Sequence, residues 1–153
     1  MKKDHINFIQ RAIELSMHGL KNNLGYPFGS VIVKDDKIVG EGCNHVTSKN
    51  DPTAHAEIVA IRNACQQLST FDLTGCVIYT SCEPCPMCLG AIYWAGIQTV
   101  YYANTQNDAE AIGFDDAEIY RELEKPMEKR KIDFIQLERD QAQKVFKVWK
   151  EQA

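Results

Sequence analysis

No run of apolar residues in this 153-residue sequence approaches the roughly 18–20 that a membrane-spanning helix needs, and no continuously apolar leader opens it. Neither an anchor nor a secretion signal is therefore expected, and the cytoplasm is the expected compartment. Basic charge is not in excess either. Seventeen Lys+Arg stand against 21 Asp+Glu, a formal net charge of −4, and the basic residues form no block that would track a phosphate backbone. That balance disfavours nucleic acid as a partner. Internal repeats and low-complexity linkers are absent, and hydrophobic residues, 44% of the chain, are spread along it, which excludes disordered and fibrous classes. What remains is one globular domain, residues 1–153, long enough to bury a sizeable core.

The six cysteines are Cys43, Cys65, Cys76, Cys82, Cys85 and Cys88. With no export signal, an even count is poor support for disulfides. Three of them crowd into residues 82–88, which points to metal binding or redox chemistry before stapling.

Periodicity lays out the elements. Phe8, Ala12, Leu15 and Ile9, Ile13, Met17, Leu20 predict an amphipathic helix over residues 4–23, capped by Asp4 and ended by Gly25 and Pro27. Residues 28–33, the polar turn 34–37 and Ile38-Val39 predict a hairpin. Ile58, Ile61, Cys65 and Leu68 form a helical stripe whose helix is expected to begin near Thr53, after Pro52. Then follow a strand over 76–80, a helix over 85–95 opened by Pro84 and Pro86 and stopped by Gly96, and a strand over 99–103. A helix over 116–124, a strand over 132–137 and a helix over 140–149 complete the chain. The β-α-β-α-β rhythm predicts an α/β protein with parallel neighbours and helices on both faces of the sheet.

Two helix starts carry residues suited to chemistry. His55-Ala56-Glu57 reads H-x-E, and Pro84-Cys85-Pro86-Met87-Cys88 reads P-C-x-x-C. Cysteines three apart share a helix face, so both sulfurs reach one ion at about 2.3 Å, and His55 can supply a third ligand. Such N and S donors suit zinc, and three protein ligands leave a fourth tetrahedral position for water, the mark of a catalytic site. Taken singly, a Cys-x-x-Cys pair is equally half a structural zinc site or a redox pair, and a lone His at a helix start is more often a capping or packed residue; the conjunction reverses those odds. Cys82 also forms a C-x-x-C pair with Cys85, but Pro84 interrupts the helix between them, so Cys82 is expected to face away from the ion and to pack. His45 is the alternative ligand, while His5 and His18 are expected to be solvated or locally bonded. Helix N-termini at both motifs favour thiolates and predict lowered cysteine pKa values. Two thiolates weaken the metal's pull on water, so a base is needed nearby, and Glu57 is placed for it.

H-x-E followed by P-C-x-x-C is the signature of zinc nucleobase deaminases. More closely, Pro27-Phe28-Gly29, residues 50–57, residues 80–94 and Gly113-Phe114-Asp115-Asp116 resemble the bacterial guanine deaminase family within the cytidine/deoxycytidylate deaminase zinc superfamily. The resemblance implies a three-layer α/β/α fold around a five-stranded mixed sheet, with one Zn2+ per chain on His55, Cys85 and Cys88. It implies Glu57 as proton shuttle, Asp116 as a second shuttle on the departing amino group with Asp115 left to cap, and a purine base contacted by Asn44, Phe28, Trp94 and Ala56. Without the resemblance, Asn44 reads equally as a loop residue making an Asx-turn, and Asp115-Asp116 as a helix cap. A homodimer is also implied, in which the segment 138–153 crosses to the partner, with Phe146 and Trp149 its last aromatics in a shortened tail. The expected reaction is hydrolytic deamination of guanine to xanthine and ammonia. Deaminases of guanosine, cytosine or tRNA adenosine, and a non-catalytic zinc or thiol module, are the alternatives.

Overall fold

The computed structural model describes residues 2–153, with side chains from Asp4 onward. In chain order the elements are α1 (Lys2–Lys21), β1 (Gly29–Lys34), β2 (Lys37–Cys43), the short α2 (Val46–Lys49), α3 (Ala56–Leu68), β3 (Val77–Cys82), α4 (Pro86–Ala95), β4 (Thr99–Asn104), α5 (Gln106–Ala111), α6 (Asp116–Glu124), a 3₁₀ turn (Met127–Lys129) and α7 (Arg139–Gln152). Contacts group the chain into two units, one through Ala117 and one from Glu118.

The first unit is built on a sheet of order β2-β1-β3-β4. β1 pairs antiparallel with both β2 and β3, and β3 pairs parallel with β4 across the α4 crossover. The hairpin turns at Asp35 and Asp36, both with positive φ (50° and 61°), the two-residue geometry that matches strand twist. Strand alternation then sorts the core into two faces. Val31, Val33 and Tyr79 pack with Leu15, Phe8 and Ile9 of α1. Their neighbours Ile32 and Ile78 point the other way, onto Ala60 and Ala64 of α3 and Ile92 and Ala95 of α4. The result is three layers, helix, sheet and helix. Ile32 and Ile78 are fully buried, each worth about 1.5–3 kcal/mol against exposure.

Helix α3 lies directly on the β2 backbone because that strand carries Gly40 and Gly42. A Cβ at Gly40 would come within 2.5 Å of Ala60 O, and one at Gly42 within 2.5 Å of Ala56 O and 2.6 Å of Ala60 N. The small side chains of Ala56, Ala60 and Ala64 complete the contact and set the height of the first turn of α3 above the sheet.

Several expectations are corrected. The sheet has four strands rather than five, and residues 132–137 form none. That segment has strand-like composition, but propensity without a ladder partner makes no strand, and Ile132, Ile135 and Leu137 are exposed. Helix α1 already runs from Lys2, so Asp4 sits inside its first turn, where its charge suits the helix dipole, instead of capping it. Helix α3 starts at Ala56 and not near Thr53, because Asp51 holds the preceding residues in a turn: its Oδ1 accepts from Thr53 N (2.9 Å) and Thr53 Oγ1 (2.7 Å).

In the second unit, Arg130 closes the end of α6 through Nε to Glu122 O (3.0 Å) and stands over the Phe134 ring at 5.3 Å, while Lys131 pairs with Glu118. Helix α7 carries Val145, Phe146, Val148 and Trp149, all exposed.

Two glycines should respond oppositely to the same change. Gly42→Ala is expected to cost about 1–3 kcal/mol by overpacking α3 against β2, read as a fall in the urea midpoint. Gly90→Ala, in the body of α4 where an added Cβ meets nothing within 4 Å, should be stabilising by about 0.5–1 kcal/mol.

Candidate active site

His55 is the N-cap of α3, with an extended backbone (φ −66°, ψ 156°). Cys85 is the N-cap of α4 (φ −68°, ψ 169°), with Pro86 next in the helix. Proline is tolerated there because its missing N–H would have had no helical partner. Both side chains leave helix starts on the same side of the sheet, and Cys88, one turn into α4, completes the set. His55 Nδ1 lies 3.4 Å from Cys85 Sγ and 3.5 Å from Cys88 Sγ, and Cys88 N donates to Cys85 Sγ at 3.5 Å. Zn–N and Zn–S bonds of about 2.0–2.1 and 2.3 Å at a tetrahedral angle place N and S roughly 3.6 Å apart, so the three donors fit one zinc ion with Nδ1 as the histidine ligand. His55, Cys85 and Cys88 are the only group of three or more His, Cys, Asp or Glu among the described residues that could hold a metal.

The thiols are not equivalent. Cys85 is held down to about 4 by hydrogen bonding from the Cys88 thiol, aided by His55 and the Cys88 N–H. The same bond, with burial, pushes Cys88 up, contrary to the lowering expected at both cysteines. Two thiols this close share one proton, which a divalent cation displaces. His55 is raised above the usual imidazole range by the Cys85 bond. Cys82 is buried at the end of β3 and pushed up to about 11 by that burial, with its thiol directed at Thr105 O (3.7 Å). It stays outside the donor cluster, as expected.

Beside the three ligands is a cavity of ≈ 250 Å³, lined by residues of the first unit. Glu57, 6% exposed on the first turn of α3, faces it, and burial pushes its carboxyl above the usual carboxylate range. Asp116, at the start of α6, faces it too; burial raises it first and the Cys85 charge second. Glu83 completes the acidic wall, with Oε1 accepting from Gln106 N at the start of α5 (3.0 Å). Opposite stand three rings: Phe114 meets Tyr26 edge-on at 5.2 Å and Phe28 at 5.1 Å.

Asn44 makes an Asx-turn and also lines the cavity. Its Oδ1 accepts from Val46 N (3.0 Å), an Asx-turn, and from Tyr26 N (3.2 Å). The residue is 3% exposed and lines the cavity, and Nδ2 makes no bond within the described protein, so the amide offers a donor and no free acceptor. Gly25 permits this approach, since a Cβ there would fall 2.4 Å from Asn44 Oδ1.

Of the expected site residues, His55, Cys85, Cys88, Glu57, Asp116, Asn44 and Phe28 are brought together. Trp94 is not: the buried face of α4 is Cys88, Ile92 and Ala95, which turns Trp94 outward, 91% exposed. Ala56 is fully buried under the α3–β2 contact and does not line the cavity. His45 bonds Cys43 Sγ (3.6 Å) and Ser48 Oγ (3.2 Å) and is no ligand. His5, expected to be solvated or locally bonded, instead bonds the distant Tyr79 Oη at 2.6 Å and stacks on Tyr101. Tyr26, Glu83 and the Cys82 contribution to the wall were not foreseen. Glu83 adjoins Cys85 in sequence and could have been, whereas Tyr26 had no signal beyond its place before Pro27.

Residues 2–104 match the cytidine and deoxycytidylate deaminase zinc-binding region. Over 147 residues the chain is 51% identical to the guanine deaminase of Bacillus subtilis (strain 168), covering 96% of this chain and 94% of that one. The X-ray structure of guanine deaminase from Bacillus subtilis superimposes with a TM-score of 0.93. A tRNA-specific adenosine deaminase of Haemophilus influenzae is 38% identical over 104 residues, 64% of this chain and 60% of that one.

The donor geometry has a direct check. Purified protein should carry about one zinc per chain by elemental analysis, lost on His55→Ala or Cys88→Ala and kept on Cys82→Ala; zinc loss in the Cys82 variant would mean that the wrong thiols had been assigned.

Proposed function

This chain belongs to the cytidine and deoxycytidylate deaminase zinc-binding family, and we propose that it hydrolyses guanine to xanthine and ammonia. The observation that carries the reading is a three-donor zinc site opening on one cavity that also holds two carboxyls raised by burial, Glu57 and Asp116. Guanine follows from the likeness to the Bacillus subtilis enzyme along nearly the whole chain. A cavity of ≈ 250 Å³, below the roughly 300–1,000 Å³ of drug-sized sites, suits a single base.

His55, Cys85 and Cys88 would hold the zinc ion, which would supply a Lewis acid that makes water a better nucleophile. Glu57 takes the proton that the water loses on adding to C2 and passes it to the adjacent ring nitrogen. Its raised affinity for protons, caused by burial, suits that exchange. Asp116 gives a proton to the exocyclic amine, the C2–N bond breaks to release ammonia, and the proton of the new hydroxyl returns to Asp116 as the carbonyl forms. Assigning the amine to a second carboxyl relieves Glu57 of serving two nitrogens from one place. Asn44 Nδ2 donates to an acceptor on the purine edge, and Phe28, with Phe114, packs the ring.

The active form is proposed to be a homodimer with residues 138–153 exchanged between copies. Exposed Phe146 and Trp149 on α7, and Tyr93 and Trp94 on α4, support it as surfaces that water covers poorly. Six free cysteines suit a reducing cytoplasm, and the reaction belongs to purine breakdown.

Ammonia release by the zinc-loaded protein should be found with guanine and not with guanosine, cytosine or a tRNA anticodon stem; turnover of another substrate in its place would reassign the site. Glu57→Gln should lower kcat by about 10²–10⁴ with zinc retained. Asp116→Asn should lower it by about 10² with little change in melting temperature, and an unchanged rate per folded molecule would reduce Asp116 to a helix-start residue. Asn44→Ala should raise KM far more than it lowers kcat.

A further inference from the structure

Behind Glu57, on the side away from the cavity, two hydroxyls are buried in the sheet. Ser30 is on β1 and fully buried, and Thr80 is opposite it on β3, 1% exposed; the two residues are register partners. Ser30 Oγ lies 2.9 Å from Thr80 Oγ1 and 3.4 Å from Glu57 Oε1. Neither hydroxyl makes another bond among the described residues, and neither has a part in the reaction as written above. The second distance is long for O–H···O, as catalytic contacts often are before substrate tightens them.

We infer that Ser30 is a positioning residue for Glu57: backed by Thr80, its hydroxyl donates to Oε1 and fixes the orientation of the carboxyl. The inference deepens the deaminase reading and rests on it for its consequence in turnover. Counting donors fixes the direction. A hydroxyl has one proton to give, and an ionised carboxylate has none. If Ser30 donated to Thr80, the Thr80 proton would have no acceptor and Glu57 would keep only its contacts to the Cys88 thiol and its own N–H. Only Thr80 to Ser30 to Glu57 satisfies every group, and unsatisfied polar groups at this burial are rare. A carboxyl that could turn about its last bond is thus held in one plane from the sheet.

Two measurements test this. Infrared difference spectra against Glu57→Gln isolate the Glu57 carboxyl band without any turnover; Ser30→Ala should shift that band, and an unmoved band overturns the proposed bond whatever the substrate. In the guanine assay, Ser30→Ala should lower kcat about tenfold, the kinetic equivalent of one hydrogen bond, with KM and zinc content unchanged. Thr80→Val alone should cost threefold at most, because Ser30 still donates. Since Ser30→Ala strands the Thr80 hydroxyl and can weaken folding, the double variant Ser30→Ala/Thr80→Val, which removes both polar groups, should regain the melting temperature and keep the tenfold loss. A kcat for Ser30→Ala within twofold of the unaltered protein, a loss matched by lost zinc, or a larger loss from Thr80→Val than from Ser30→Ala overturns the inference. Failure of the unaltered protein to release ammonia from guanine would count against the deaminase reading, while the infrared band still decides the role of Ser30.

Discussion

Everything in the site depends on bringing the starts of α3 and α4 within bonding reach of one metal ion, although His55 and Cys85 are 30 residues apart. The sheet does this through close packing and not through any bond between the helices' polar ends. Gly40 and Gly42 let α3 sit against the β2 backbone, and Ile32 and Ile78 fill the space beneath α3 and α4 together. With side chains on β2 at those two positions, the helix would ride higher and the Nδ1 of His55 would leave the sulfurs. The site is therefore as exact as the core is full, which is how a rigid scaffold turns packing into ligand geometry.

That placement has an electrostatic consequence. Two helix starts favour negative charge, and the cavity accumulates it: Cys85, Glu57, Glu83 and Asp116 line one small, largely apolar space. Burial answers by raising Glu57 and Asp116 toward their neutral forms. A divalent cation held by His55, Cys85 and Cys88 would take up the thiolate charge. The acids and the metal donors thus come from one cause, the exclusion of water at the mouth of two helices.

How much of this was legible follows from whether a signal is local. The metal donors were, because H-x-E and P-C-x-x-C are spacings within a turn, and Pro84 correctly separated Cys82 from the set. The start of α3 was misread by about three residues because Asp51 competes for the backbone through its side chain, which helical periodicity does not reveal. The outward direction of Trp94 was not legible because periodicity along α4 is weak: the helix is apolar nearly all round, and only the structure shows that Cys88, Ile92 and Ala95 take the inner face. The strand over 132–137 failed for a different reason, since strands need partners and no pattern within one segment supplies one. Ser30 and Thr80 were invisible for the same reason. They are 50 residues apart and meet only through strand register.

Asn44 shows why a local alternative and a functional one need not compete. Its Oδ1 is committed to Val46 N and Tyr26 N, which fixes the loop and the amide plane together. A side chain spent on an Asx-turn is therefore oriented by that turn, with Nδ2 left on the cavity side as a donor of defined direction. With the acceptor half already used, the substrate contact proposed above is one in which the amide donates. Guanine presents acceptors on the edge away from its exocyclic amine, so a donor placed there would not interfere with chemistry at C2. A base offering only N–H groups on that edge would leave Nδ2 unpaired in a site with little water, and rejection of this kind is stronger than a hydrophobic pocket achieves by shape alone.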